Sequence, residues 1–363
     1  MKKEKRNGII SLWKFLFAIV IAFFHGSQFY PELKNPFFPK GYIVVEFFFI
    51  VSGFFYASNV LKKRYNKKTI GTDTIKFIFR KIISFFPYIV IAYIFSLLVQ
   101  SYYSNWGIGK ILNSFWNLTM LKFFGFGDVI MLGQLWYIAH MLLVMFVLYP
   151  FLVKYKDNFI KLVSPIIVII SLGFLYKTYG TINHLDKLFY GLIPTGVIRA
   201  LAEINIGMII FIIYKKISRL NFTKAFTILA SITSESLLII ILLVTLFISN
   251  IKKYELIILL MFSISLIIIT SNKNIELKFL SNKFIYYLEK LSLPIYLNHT
   301  IFIVILDYSP IFEKMSSISK SILTVIITIV FSTIEIQIIN YLKRKNIINK
   351  IKNLILIEKK QKM

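Results

Sequence analysis

Lys14 and His25 are the only ionisable residues in KFLFAIVIAFFH, an otherwise apolar run. At 100° per residue, eleven steps make about three turns, so on a helix both side chains share one face, roughly 16 Å apart along its axis. Glu46 follows in GYIVVEFFFIVSGFF, at the start of the next apolar run and one short loop after His25. A histidine and a carboxylate at the same depth in a low-dielectric medium are expected to pair, because a lone carboxylate there is costly. Such a pair has the form of a general base and its orienter. The plainer alternative is that Lys14 snorkels to one surface, His25 caps the run at the other, and Glu46 fixes helix packing.

Other candidates recur along the chain. Arg80 and Lys81 end a basic stretch that starts at KKRYNKK; most of these charges fit plain positive-inside topology, but the cluster is also able to hold phosphate groups. Trp136 and Tyr137 open a further apolar run, where they also suit an interfacial belt. Arg199 and Glu203 are four apart, the spacing of a helical ion pair. Ser292, Tyr296 and His299 lie in LEKLSLPIYLNHTIF, where His299 is either a hydrogen-bonding packing residue or, with Asn298 beside it and Pro294 loosening the helix, part of a functional cavity.

These residues must be positioned by a membrane. Of 363 residues, 57% are hydrophobic and 17% aromatic, more than a soluble domain can bury. The expected fold is all-α and polytopic, with about ten spans near 9–29, 42–61, 82–101, 133–153, 161–178, 197–214, 226–248, 254–271, 291–308 and 321–342. The broken aromatic segment 105–127 reads as interfacial or re-entrant. With the N-terminus inside, roughly three in four of the 43 Lys and Arg fall on the cytoplasmic side, which predicts both termini there. The division is then a transmembrane domain over 1–342 and a basic amphipathic tail over 343–363. The first run is followed by bulky HGSQFYPELK, with no cleavage signature, and is expected to be retained. The net charge of +27 comes from scattered residues beside apolar runs, so the partner it implies is the anionic bilayer and not nucleic acid. There is no cysteine, which removes disulfide and thiolate chemistry, and no metal is expected.

In this order the motifs resemble acyltransferase family 3, the bacterial integral-membrane O-acyltransferases. The family opens on a basic residue, ten residues and a histidine, here K-FLFAIVIAFF-H. Its acidic-aromatic-SGF motif resembles Glu46 to Phe54. Its later motifs resemble Arg80 to Pro87, Leu135 to Pro150, Arg199 to Met208, and Ser292 to His299. Lys14 stands where Arg is usual, so a point charge replaces a bidentate fork. Glu46 stands where Asp is more common, and the region of Ala139 and His140 replaces a frequent Glu. The resemblance implies the membrane-only form of the family in a bacterial plasma membrane. It implies transfer of an acyl group, most often acetyl, from cytoplasmic acetyl-CoA to a hydroxyl of a glycan or lipid-linked sugar. His25 is the implied catalytic residue.

On that reading Glu46 orients His25, Arg80, Lys81 and Lys14 hold the donor, and the remaining candidates shape the substrate site. His25 acts as general base or carries the acyl group itself. The competing expectation is a proton-coupled transporter of a glycan or lipid, which intramembrane ionisable residues and broken helices would also suit.

Overall fold

The computed structural model describes residues 7–30, 37–183, 187–248, 250–271, 280 and 282–345. Among them the chain is almost entirely helical: α1 (Gly8–Phe29), α2 (Val45–Val60), α3 (Ile70–Ser104), α4 (Ile108–Leu118), α5 (Trp136–Asn158), α6 (Ser164–Tyr179), α7 (Thr195–Ile217), α8 (Lys224–Phe247), α9 (Glu255–Ser271), α10 (Lys283–Tyr308) and α11 (Ser317–Arg344). The described strands are the two-residue β1 (Leu188–Phe189) and β2 (Ile193–Pro194), paired antiparallel ahead of α7.

The bundle has a buried apolar core and also turns apolar residues outward. Glu46, Arg199, Glu203, Asn205, His299 and Glu335 are buried, while Leu98, Ile169, Leu229 and Leu260 are more than 60% exposed. Apolar residues face outward because lipid is their solvent, and the ionisable residues are kept away from it. The chain is an all-α multi-pass membrane protein.

Nine helical runs among the described residues are long and apolar enough to cross a bilayer. In number, the ten expected spans differ from these nine at one place. Gly133–Tyr179 is one 47-residue run, but Lys156 within it has non-helical dihedrals, and a π-turn follows at Phe159–Val163. Lys156 Nζ donates to the carbonyls of Leu61 and Lys63 at this break. Both α5 and α6 pack on α7, a helix only about 35 Å long, so the run turns back on itself and supplies two crossings.

The third expected span was too short. α3 begins at Ile70 and runs 35 residues, about 52 Å, well beyond a hydrocarbon core of about 30 Å. Thr72, Asp73, Thr74, Lys76, Arg80 and Lys81 punctuate its first turns, so hydropathy alone puts the boundary near residue 82. The 105–127 segment holds α4, eleven residues long and too short to cross. Side-chain amides tie it down: Asn113 Oδ1 accepts from the Asp128 amide, and Asn117 bonds both Val129 and Met131. The tail expected over 343–363 starts within α11; residues 346–363 lie outside the described residues.

Two helix pairs set the site. α1 packs along α10, and α2 packs along α7. The second contact depends on glycine. A Cβ at Gly53 would collide with the Ile204 backbone, and one at Gly207 with the Ile50 carbonyl. The two backbones therefore touch, as small residues permit in lipid.

Candidate functional site

α1 and α10 run in the same direction and meet at two levels. At one level the half-buried His25 ring stacks on the His299 ring, with centroids 5.0 Å apart and planes 28° from parallel. His299 is fully buried. Its Nδ1 lies 3.2 Å from the Ile295 carbonyl, which accepts a hydrogen bond when that nitrogen carries the proton; the lone pair is then on Nε2, which has no partner. At the other level Lys14 Nζ donates to Glu289 Oε1 at 2.9 Å, and Ser11 Oγ donates to Glu289 Oε2 at 2.8 Å.

Glu46 is not the partner of His25. Its carboxylate is fully buried and accepts from Arg199 at both oxygens, Nε to Oε2 at 3.1 Å and Nη2 to Oε1. Arg199 Nε also donates to Glu203 Oε1 at 3.2 Å, the expected i,i+4 pair. Its Nη1 donates to Asn183 Oδ1, and its guanidinium sits over the Trp136 ring. The reason is helix neighbourhood. α2 packs chiefly on α7 and α1 on α10, so the nearest opposite charge to Glu46 is a guanidinium whose planar fork fits a carboxylate. Glu46, Arg199 and Glu203 thus form a buried ionic cluster that, with Trp136 stacked on the guanidinium, ties α2, α5 and α7 together.

Between the two levels lies a cavity of about 250 Å³. Lys14, Lys81, Glu289, Ser292, Tyr137 and Tyr296 supply most of its polar wall, and Phe48, Phe85 and Met141 much of the apolar part. The Ser52 and Tyr137 hydroxyls are 3.1 Å apart. Tyr296 donates to the Gln134 carbonyl at 2.5 Å, and Gln134 Nε2 returns to the Leu297 carbonyl at 2.6 Å. These bonds hold α10 beside the start of α5. Tyr296 connects the cavity wall to the histidines, its ring centroid 6.2 Å from that of His299. Ser292 Oγ is buried without a partner. A second cavity, about 630 Å³, opens towards the N-terminal end of α1, lined by Asn7, Lys62 and Tyr214 among others. Lys14 and Glu289 line both cavities.

The expected residues divide accordingly. Lys14, Lys81, Tyr137, Ser292 and Tyr296 share one cavity, and His25 and His299 stack beyond Tyr296. Arg80 is exposed on α3 and lines neither cavity, because the next residue, Lys81, takes the inward face of the helix. Lys81 has no carboxylate within ion-pair distance among the described residues; its Nζ lies over the Phe77 ring. His140 is enclosed by Phe124 and Trp136, away from the cavity. Glu289 and Gln134 escaped the sequence reading. Glu289 carried a signal: it precedes His299 by ten residues, nearly the spacing of Lys14 to His25.

A family model described as an acyltransferase domain, that of acyltransferase family 3, matches residues 7–336. The chain belongs to acyltransferase family 3. It is therefore a multi-pass membrane acyltransferase, and all the motif residues, from Lys14 to His299, fall within the matched region. Comparisons with curated proteins and with solved structures gave no match.

Proposed function

We propose that this acyltransferase moves an acyl group, acetyl by preference, from an acyl-CoA on the cytoplasmic side to a sugar hydroxyl of a cell-surface polysaccharide or its lipid-linked precursor, in a bacterial plasma membrane. The observation that carries the reading is the succession of two cavities meeting at Lys14 and leading past Tyr296 towards His299 and His25. The wider cavity suits a nucleotide. Lys14 and Lys81 supply positive charge for its phosphates. The narrower, mostly apolar cavity suits an extended arm that ends in a thioester. The axial separation of Lys14 and His25, roughly 16 Å, is of the order such an arm must cover.

His25 takes the proton of the acceptor hydroxyl as its oxygen attacks the thioester carbonyl. The C–O bond forms, the C–S bond breaks, and the proton passes to the leaving thiolate. Stacking on His299 holds the imidazole plane of His25 in place, the orienting role that Glu46 was expected to play. A positive inner face at the Lys14 end supports a cytoplasmic donor, with His25 towards the outer leaflet and the acceptor glycan.

The test is the alkali-labile ester content of the host's surface glycan, read by proton NMR in wild type and in a His25→Ala strain with matched protein level. Loss of the O-acetyl signal supports the reading. An unchanged signal removes His25 from the chemistry.

A further inference from the structure

Glu289 is the sole carboxylate lining the two cavities among the described residues, and it stands where they join. It faces a cationic surround. Lys14 and Lys81 share the inner cavity with it, and Lys14 and Lys62 the outer one. Its two oxygens are separately engaged, one by Lys14 Nζ at 2.9 Å and one by Ser11 Oγ at 2.8 Å. Both members of the ion pair keep 22% of their side-chain surface accessible. The pair is thus open to an arriving ligand, unlike the Glu46–Arg199 pair, which is sealed at 1% exposure or less.

We infer that Glu289 sets donor affinity: its carboxylate competes with the anionic groups of the donor for Lys14. This rests on the acyl-CoA reading above. An anion that displaces Glu289 exchanges one contact to Lys14 for another and gains little there. A diphosphate gains chiefly at Lys81, which lines the same inner cavity and has no carboxylate within ion-pair distance among the described residues. The carboxylate therefore weakens anion binding at Lys14 and leaves the neutral thiol arm unaffected. Ser11 bonds the second oxygen of Glu289, so the residue stays in the wall when Lys14 turns to the ligand. Glu289 is a positioning residue, with no part in the bond-making step.

The test is equilibrium binding of two probes, coenzyme A and pantetheine, to the full-length protein in lipid nanodiscs. Pantetheine carries the same thiol arm without phosphates. In Glu289→Gln, coenzyme A should bind roughly 3- to 5-fold more tightly, the size of a partly exposed ion pair removed from competition, while pantetheine binds as in wild type. Glu289→Asp, one methylene shorter and still anionic, should show a smaller tightening of the same kind, and it serves if the glutamine variant does not fold. Coenzyme A binding that is unchanged or weaker in both variants overturns the inference and leaves the donor reading standing. Equal shifts for both probes overturn it too, because the residue would then act through cavity shape. Failure of coenzyme A to bind either wild type or variant overturns the donor reading and the inference with it.

Discussion

The His25 ring lies 5.0 Å from that of His299, and the helices that carry them meet again one cavity lower, at Lys14 and Glu289. The spacings match: about 16 Å along α1 and about 15 Å along α10. Two parallel helices with equal spacings make a slot with an imidazole pair at one end and an ion pair at the other. The chemistry proposed for His25 depends on that slot staying in register.

The stack predicts a graded effect of histidine substitution. His25→Ala should lower kcat for transfer from labelled acetyl-CoA by about 10²–10⁴, the usual contribution of a positioned general base. His299→Asn should cost less, because His299 acts on the orientation of His25. The two variants are compared in nanodiscs at equal protein. A larger loss at His299 than at His25 would reverse the two roles.

The Arg199 cluster predicts stability effects in place of kinetic ones. Arg199→Ala leaves Glu46 and Glu203 facing each other without a cation, and should cost about 3–5 kcal/mol, the range for breaking a buried ion pair. Arg199→Lys keeps the charge but loses the fork, and should fall between. Thermal unfolding in detergent reads both. The folded fraction should retain a near-normal KM for donor, since the cluster does not line the donor cavities. A donor KM that rises with stability unchanged would return Glu46 and Arg199 to the active site.

The glycine contact of α2 and α7 makes a third prediction. Gly207→Val puts methyls against the Ile50 carbonyl and the Phe54 amide and forces the helices apart. Overpacking of this kind costs roughly 1–3 kcal/mol or more, so the variant should express poorly or melt early. Gly173→Val, with open space around it, is the control and should melt as wild type does. Equal melting temperatures for the two variants would show that the close approach is not needed.

The sequence made the membrane class and most helix positions legible, because lipid imposes long apolar runs, and it singled out the ionisable residues within them. Pairing was less legible. His25 and Glu46 lie close along the chain, yet local order says little about which helices touch: α1 settles on α10, far away in sequence, and α2 on α7. Local pairs such as Arg199–Glu203 survived because one helix contains both partners. The turn at Lys156 was legible, because the polar cluster Lys154, Lys156, Asp157 and Asn158 separates two apolar runs and marks two spans. Glu289 shows a second limit, since a glutamate beside Lys290 at a span's edge looks like an ordinary surface charge until a parallel helix brings Lys14 to it.

Arg80 and Lys81 give the sharpest contrast between adjacent residues. Either could serve phosphate by type and position, but helix rotation separates them by about 100°, and only Lys81 reaches the cavity. Lys81→Ala should raise the donor KM by roughly tenfold, the loss of one charge-assisted contact, with kcat little changed. Arg80→Ala should leave both constants near wild type. The measurement is a donor titration at saturating acceptor for each variant. Equal rises in KM for the two would mean that diffuse positive charge at this end of α3 draws in the donor. A rise at Arg80 alone would place the nucleotide on the outer surface of α3, away from both cavities, and remove the route past Lys14 that the mechanism requires.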